Sequence, residues 1–365
     1  MRAAFAMIDL HDIGVRLGAY LETRLASLRV LASGWETTVF EFTLGSASPR
    51  FSEIPVASPL VLRFYQGAQA DDKGARENLT LERLSAAGFP VPHPYAFELD
   101  HSALGAPFLV MQRLDGGPLF TTRSFPEAFK TFSLGFFGFV RAQVKLHRMN
   151  PQDSRLRDIP RAYETGLTAP GTPMLDRALA IIADRVEKGP LPGLRDALGR
   201  LTARAGAYRV AEPSLIHMDY HPRNVVVRAT HLSGVIDWVN TDVGDRHLDA
   251  GMTAAILSSS AFDHPRWIRD NIVGNSLRTS FAGLYVPLYH AMNRLDFERF
   301  RYCQAVAAML RLSMMGMMQA RGPESQGYRP EAMAEVTPGV IRLLSRFAER
   351  KSGERVRLEM VAQPA

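Results

Sequence analysis

Residues 215–249 read LIHMDYHPRNVVVRATHLSGVIDWVNTDVGDRHLD, and the fold turns on how this stretch is read. It holds His217, Asp219 and Asn224 in the spacing H-x-D-x-x-x-x-N, followed by the triplet Ile236-Asp237-Trp238. Phosphoryl transfer needs a carboxylate to orient an attacking hydroxyl and accept its proton. It also needs oxygen ligands for the metal that bridges the nucleotide phosphates. One turn can supply Asp219 as the base and Asn224 as a neutral ligand. The β-branched run 225–227 and the run 234–236 read as strands joined by a turn at residues 230–233. A hairpin there returns Asp237 beside Asn224. Mg2+ takes one or two carboxylates and completes its shell with phosphate oxygens and water, so this pair makes a fitting incomplete shell. The competing reading is a surface hairpin with Asp219 and Asn224 as ordinary turn residues. A lone H-x-D would favour that; the whole constellation in order favours catalysis.

At 365 residues the chain can bury a full core and is expected to divide into two lobes. Its single cysteine, Cys303, excludes an intramolecular disulfide and suits a reducing compartment. The helical-looking run around Cys303 makes it a buried thiol rather than a nucleophile. No apolar run approaches membrane-spanning length; residues 133–140 fall far short. Asp9 and Asp12 interrupt the N-terminus before a signal-peptide core can form, so a cytoplasmic protein with no membrane partner is expected. A net charge of +6 and an isoelectric point of about 9.6 raise nucleic acid as a partner. The bases are scattered arginines without aromatic interleaving, and over residues 346–360 they alternate with acids, which argues against nucleic acid.

Upstream of the opening stretch, residues 17–27 have helical spacing. Residues 27–33 and 37–44 read as strands around a turn containing Gly34, and residues 60–65 as a third strand after a Pro/Ser-rich loop. The periodicity of residues 74–87 predicts a helix stopped at Gly88, with Pro90 and Pro92 beyond. Residues 95–99 and 107–113 supply two further strands. The break Asp115-Gly116-Gly117-Pro118 then divides an N-terminal lobe, residues 1–114, from a C-terminal lobe, residues 115–365. The second lobe reads as helical apart from the hairpin. It has helices over 129–149, 174–188 and 194–207 and three or four more between 267 and 347. Met314, Met315, Met317 and Met318 read as flexible core packing.

The residues His217-Met218-Asp219-Tyr220-His221-Pro222-Arg223-Asn224 resemble the HGDxHPGN loop of the aminoglycoside phosphotransferase family, which includes choline kinase-like members. Gly234 to Trp238, and Gly244-Asp245 through Asp249, are similar to its GxIDWE…GDPxxDLA segment. Arg76-Glu77 and residues 84–92 are similar to its RE…LRxLxxxGxPVP helix and turn. The resemblance covers roughly residues 30 to 260. It implies an α+β, two-lobed protein-kinase-like fold with a small β-rich N-terminal lobe and a larger helical C-terminal lobe. It also implies Mg2+-dependent transfer of the γ-phosphate of ATP or GTP to a small-molecule alcohol. Carried over by position, Asp219 would be the base, in a catalytic loop shared with His217 and Asn224, and Asn224 and Asp237 would hold Mg2+. Ser33, Gly34 and Thr37, with Glu36 and Thr38 beside them, would form the phosphate-covering turn. Arg63 would be the third-strand phosphate-binding cation, braced by Glu77. Met111, Gln112 and Arg113 would form the hinge against which adenine lies.

The departures from that family pattern carry expectations of their own. Met218 and Arg223 stand where the family has glycine. A Met at positive φ costs about 1 kcal/mol, so ordinary φ is expected at Met218, with a loop close to that of protein kinases. Arg223 can steady the γ-phosphate, pair with an acid such as Asp242, or sit on the surface. Arg63 stands where a protein kinase has Lys; its guanidinium can still bridge phosphate oxygens and Glu77, the alternative being an edge-strand surface charge. Asp245 reads as a helix N-cap, Asp249 as a pin for the catalytic loop, and Trp238 as packing beneath Asp237. His147 and His221 read as satisfied hydrogen-bonding residues.

Charge bears on the acceptor. Polycationic aminoglycosides need an acidic floor, yet from Asp263 to the end the chain carries fifteen Lys/Arg against ten Asp/Glu. Asp242, Asp245 and Asp249 offset this only in part, so a neutral, monocationic or acid-bearing alcohol is expected. Trp267, Tyr285 and Tyr289 read as core packing, with an aromatic box for a choline-like cation as the alternative. The lack of Asp-Phe-Gly and Ala-Pro-Glu segments disfavours a protein kinase. A nucleotide-binding pseudokinase acting as a regulatory module is the alternative from another class, motivated by Met218, Arg63 and the thin glycine turn. The intact trio Asp219, Asn224 and Asp237 argues for an active enzyme.

Overall fold

Period-two alternation builds the N-terminal sheet. The computed structural model describes residues 9–35, 37–67, 69–119, 125–210, 213–259 and 272–358. Helix α1 (Leu10–Tyr20) precedes strands β1 (Leu25–Ser33), β2 (Thr37–Leu44) and β3 (Leu60–Tyr65). Helix α2 (Ala70–Ala86), β4 (Pro94–Glu98), the short α3 (His101–Leu104) and β5 (Phe108–Gln112) follow. The five strands form one antiparallel sheet in the order β1-β2-β3-β5-β4. On one face Phe40, Phe42, Leu60, Leu62 and Phe64 bury against Ile13 and Leu17 of α1. Each such burial contributes about 1.5–3 kcal/mol, which outweighs propensity as the reason a helix this short forms. Val61, Arg63 and Tyr65 alternate to the other face, where Val61 and Tyr65 join the core of the remaining molecule. Arg63 therefore lies on a central strand between β2 and β5, not on an edge.

Two boundaries differ from those the sequence pattern predicts, for identifiable reasons. The first helix starts earlier than residue 17, because the Asp9 carboxylate caps it by accepting from His11 N–H at 2.9 Å. It ends by Leu21, and the residues from Leu25 onward pair instead with β2. Helix α2 begins at Ala70 and ends as expected. Gly88 has φ 72, its N–H bonds Ser85 O at 3.0 Å, and Phe89 N–H bonds Leu84 O at 2.9 Å, a complete Schellman motif.

The linker at residues 115–118 is laid directly on the hairpin that follows the loop of residues 217–224. Gly116 has φ 101, and a Cβ there would meet Val227 O at 2.0 Å, so only glycine fits. Strand β6 (Gly117–Pro118) then opens a helical half: α4 (Phe125–His147), α5 (Met174–Lys188), α6 (Arg195–Arg204), β7 (Ser214–Ile216), β8 (Val225–Arg228), β9 (His231–Val235), β10 (Asp242–Gly244), α7 (Arg246–Ser259), α8 (Ile272–Met292), α9 (Phe297–Arg321) and α10 (Pro338–Ser352). Strands β6, β8 and β9 form one small sheet, and β7 and β10 another. The hairpin turn is tighter than expected: Ala229, at φ 54, and Thr230 suffice, and His231 already belongs to the returning strand. Helix α9 runs through the middle of this half with α5, α7 and α10 packed around it. Its Met314, Met315, Met317 and Met318 are buried, as is Cys303, whose thiol burial pushes well above its ordinary pKa. Among the described residues no helix is long and apolar enough to cross a membrane.

Candidate active site

Strand β7 delivers His217 to the floor of the cleft between the sheet and the helices. Its ring is fully buried, 4.5 Å from the Trp238 ring and 5.7 Å from the Tyr220 ring. Nε2–H donates to Ile236 O at 3.1 Å and Nδ1 accepts from Asp219 N–H at 3.3 Å, which together define a neutral tautomer. Burial lowers the pKa of His217 and keeps the ring uncharged. So placed, it ties Ile236 and Asp219 together across the loop.

Met218 contradicts the expectation of ordinary backbone geometry: its φ is 62. The left-handed turn is held by a buried carboxylate. Asp249 Oδ1 accepts Met218 N–H at 2.6 Å, while Oδ2 accepts from His147 Nε2 at 2.8 Å and Gln143 Nε2 at 3.0 Å. Burial pushes the Asp249 carboxyl up, but the bond from His147 and the other donors outweigh it and hold it below its ordinary range. Charge-assisted bonds of this kind offset the roughly 1 kcal/mol strain, and the Met218 side chain is itself buried. Asp249 therefore pins the loop, as its position suggested, and Asp245 caps α7 by accepting His247 N–H at 2.8 Å. Asp237 also sits at positive φ, 69, a conformation Asp tolerates better than Met.

The turn brings the three expected chemical groups together. Asn224 Nδ2 donates to Asp219 O at 2.9 Å, leaving Oδ1, which accepts no hydrogen bond among the described residues, for a cation. Ile236 N–H bonds Asn224 O at 2.9 Å, so Asp237 emerges beside Asn224. Arg63 Nη2 donates to Asp237 Oδ1 at 2.6 Å and its Nε lies 2.8 Å from Glu77 Oε2. The Nε–H does not aim at that oxygen, so the second contact is Coulombic rather than a hydrogen bond. Glu77 also accepts from Tyr65 OH at 2.6 Å and from Trp238 N–H at 3.1 Å. Burial pushes the Glu77 carboxyl up against the pull of Arg63, and the Asp237 charge adds to the rise. For Arg63, burial is outweighed by Asp237 and Glu77, which push its pKa up. A guanidinium thus occupies a carboxylate oxygen that a metal could use, which shows the position suits a cation. Among the described residues no three His, Cys, Asp or Glu side chains could hold a metal alone. One carboxylate, one amide and phosphate oxygens is a shell that Mg2+ accepts.

Two basic side chains approach Asp219. His221 Nε2 lies 3.5 Å from its Oδ2, and Arg311 Nη1 lies 3.5 Å from its Oδ1. Burial pushes the Asp219 carboxyl up, but His221 and Arg311 outweigh it and hold it well below the usual carboxylate range. Arg311 comes from α9, about ninety residues downstream, and no motif announces it.

The residues expected on the nucleotide side lie on the N-terminal sheet, though not all on the face of Arg63. Gly34 N–H bonds Thr37 O at 2.9 Å and closes the β1–β2 turn. A Cβ on Gly34 would meet only ordinary contacts, 3.7 Å from Thr37, so the glycine leaves room rather than relieving strain. Glu36 and the side chain of Ser33 lie outside the described residues; the Ser33 backbone pairs with Thr38. Met111 is on the face of Arg63, since Val61 pairs with Met111 and Arg63 with Leu109. Gln112 is exposed, and its backbone N–H donates to His93 O at 2.8 Å. The Arg113 side chain folds back to Glu41 Oε2 at 3.2 Å and to the carbonyls of Leu114 and Gly116, bracing the linker. One contribution that no local motif announces comes from residues 327–329. Arg329 Nη1 donates to Thr38 Oγ1 at 2.9 Å, its N–H bonds Trp35 O at 2.6 Å, and Tyr328 packs edge-on against Trp35 at 5.3 Å.

At other positions the structure decides between alternatives that the sequence leaves open. Arg223 pairs with Glu335 at 3.2 Å, because Asp242 is taken by Arg177, which donates to both its oxygens at 2.9 and 2.8 Å. Tyr285 and Tyr289 are fully buried; Tyr285 OH donates to Gln143 Oε1 and Tyr289 OH bonds His147 Nδ1, each at 2.6 Å. They are core packing, not an aromatic box, and Trp267 lies outside the described residues. Asp242, Asp245 and Asp249 are all buried and paired, so none is available to an ammonium group.

An Arg–Glu pair under a β-sheet, facing a loop that carries Asp and Asn with an Asp on the next hairpin, is the architecture of a kinase-like phosphotransferase. The model of the phosphotransferase enzyme family matches residues 27–289, and the chain belongs to that family. Among solved structures, it is similar to a candidate aminoglycoside phosphotransferase from Ralstonia eutropha JMP134. The TM-score is 0.57 at 17% identity, covering 94% of this chain and 99% of that one. A thermostable mutant of aminoglycoside phosphotransferase APH(4)-Ia, in a ternary complex with ADP and hygromycin B, superposes with a TM-score of 0.54 at 15% identity, covering 87% and 97%. The streptomycin–ATP complex of APH(2")-IIa gives 0.54 at 15% identity, covering 90% and 97%. No curated protein matches the chain by sequence. These likenesses establish the α+β, protein-kinase-like fold.

Proposed function

We propose that the chain is an ATP- or GTP-dependent O-phosphotransferase acting on a small-molecule alcohol, with Asp219 as base and Asn224 and Asp237 as the Mg2+ ligands. The observation that carries this reading is the convergence of Asp219, Asn224 and Asp237 on one loop and hairpin, facing the Arg63–Glu77 pair of the sheet. In the reaction the acceptor oxygen attacks the γ-phosphorus and its proton passes to the Asp219 carboxylate. The bond between the γ-phosphorus and the bridging oxygen breaks, and the nucleoside diphosphate leaves with the electron pair. Asp219, held well below the usual carboxylate range, is a weak base, so its main work is to orient the hydroxyl and take the proton late, as a loose transition state allows. His217 acts as a positioning residue. Bound Mg2+ would supply charge neutralisation along the phosphates. Arg63 can bridge phosphate oxygens while keeping Glu77.

The acceptor is not a polycationic aminoglycoside on this reading, because the acids that could form an anionic floor, Asp242, Asp245 and Asp249, are sequestered. A micromolar Michaelis constant for kanamycin with Mg-ATP would overturn that part. A second reading, a nucleotide-binding pseudokinase, draws on the arginines that engage both Asp219 and Asp237. Equilibrium ATP binding measured beside turnover separates the two. Binding with Mg2+-dependent transfer to a metabolite pool supports the enzyme; binding with neither transfer nor hydrolysis supports the module.

A further inference from the structure

Arg311 puts positive charge next to the expected base, and Arg185 stands beside Arg311 on the neighbouring helix. Arg185, on α5, donates through Nη1 to Leu310 O at 3.2 Å, the carbonyl just before Arg311 on α9. Among the described residues no carboxylate lies within ion-pair distance of Arg185. Among those same residues Arg311 has only Asp219, at 3.5 Å, longer than the 2.7–2.9 Å typical of a charge-assisted bond, and its Nε is buried without a partner. The phenols of Tyr163 and Tyr328 lie within electrostatic reach of Arg185, and Tyr163 also within reach of Asp219. Burial lowers the pKa of Arg185, the mark of a desolvated cation lacking a full counter-charge. Such a group costs stability unless an anion arrives to pair with it. Elsewhere in this half a buried arginine is paired, as Arg177 is with Asp242. Arg63, on β3, meets Asp237, whereas Arg311 meets Asp219 from the helical half with Arg185 behind it.

We infer that the acceptor alcohol carries an acidic group, a carboxylate or a phosphate monoester, seated on Arg311 and Arg185 beside the Tyr163 hydroxyl. The acceptor's alcohol then lies against Asp219. Without acceptor, Arg311 rests on Asp219. The acid group draws Arg311 away and leaves the Asp219 carboxylate to the hydroxyl, so the substrate's own charge unmasks the base. This rests on the phosphotransferase reading of the same site.

The test is a binding measurement that needs no turnover. With the nucleotide site filled by saturating Mg-ADP, calorimetry compares glycerate and glycerol 3-phosphate with glycerol and 3-amino-1,2-propanediol, all of which carry the 1,2-diol and differ in the charge of the third carbon's group. The expected result is binding of the acidic probes alone, weakened roughly tenfold or more in Arg185→Gln and Arg311→Gln and partly restored in Arg185→Lys. A retained ADP-induced melting shift shows that each variant is folded. Equal binding of the neutral or cationic probes, or acid binding indifferent to both substitutions, overturns the inference. Should a Gln variant fail to fold, the wild-type comparison of probes decides by itself. Acid-selective binding without any transfer would instead defeat the phosphotransferase reading. Transfer to neutral or cationic alcohols without acid selectivity would defeat only the anion pocket.

Discussion

Arg63→Met asks what the interlobe ion cluster is worth. Arg63 is 6% exposed and Glu77 1%, so removing the guanidinium strands a buried carboxylate with only Tyr65 OH and Trp238 N–H as donors. Breaking a buried pair from one side costs about 3–5 kcal/mol. Asp237 adds little, because its side chain is 32% exposed and rehydrates. The loss corresponds to a melting temperature lowered by roughly 6–12 °C. It also depends on pH with a definite sign. Burial pushes the Glu77 carboxyl up, and without Arg63 it rises further. The folded variant then binds a proton that the unfolded chain, with a pKa near 4.3, does not. Its stability falls as pH rises, so the deficit against wild type grows between pH 5 and pH 8. Arg63→Met with Glu77→Gln removes both charges and should return to within about 1 kcal/mol of wild type, a coupling of at least about 2–4 kcal/mol. Denaturation of the wild type, the singles and the double at both pH values checks this. A single substitution costing under about 1 kcal/mol, or a double that loses the sum of the singles, refutes the reasoning.

Three further outcomes are expected. Asp219 has a depressed folded pKa, so its contribution is fully present above the unfolded value near 3.9 and is lost only as pH falls through the folded one. The melting difference between wild type and Asp219→Asn should therefore change as pH falls below about 4; a difference that does not move there would contradict the assignment. Met218→Gly relieves about 1 kcal/mol of left-handed strain but deletes a buried side chain worth about 2–5 kcal/mol, so a net loss of about 1–4 kcal/mol is expected. A glycine variant more stable than wild type would mean that the strain outweighs the packing. Asp237→Ala should abolish Mg2+-dependent turnover in a metal titration, and retained turnover at any Mg2+ concentration would remove Asp237 from the metal shell.

Local pattern makes part of this molecule legible. Strands 37–44 and 60–65 and the helix 174–188 are readable because alternation or periodicity runs to a turn or a glycine at each end. The catalytic loop is readable because its groups lie within about twenty residues and their order is itself the signal. What escapes depends on contacts far apart in sequence. Arg311 meets Asp219 across ninety-two positions, Arg329 meets Thr38 across two hundred and ninety-one, and neither belongs to a local pattern. The left-handed Met218 escapes for a related reason. Residue type alone predicts ordinary φ, and the deciding group, Asp249, reaches it only through the fold of β7 against α7. The first helix has ambiguous bounds because residues 25–27 can satisfy either a helix or a strand, and pairing with β2 decides.

The central claim is that Asp219 works on a γ-phosphoryl group in an active enzyme. The most direct test is transfer of labelled phosphate from ATP to a metabolite acceptor pool under Mg2+, comparing wild type with Asp219→Ala at matched nucleotide occupancy. The account predicts a labelled acceptor with wild type and a rate lowered by roughly 10²–10⁴ with the variant, the loss expected for a general base. Equal rates in the two proteins, or ATP bound by wild type with no labelled product, would contradict it.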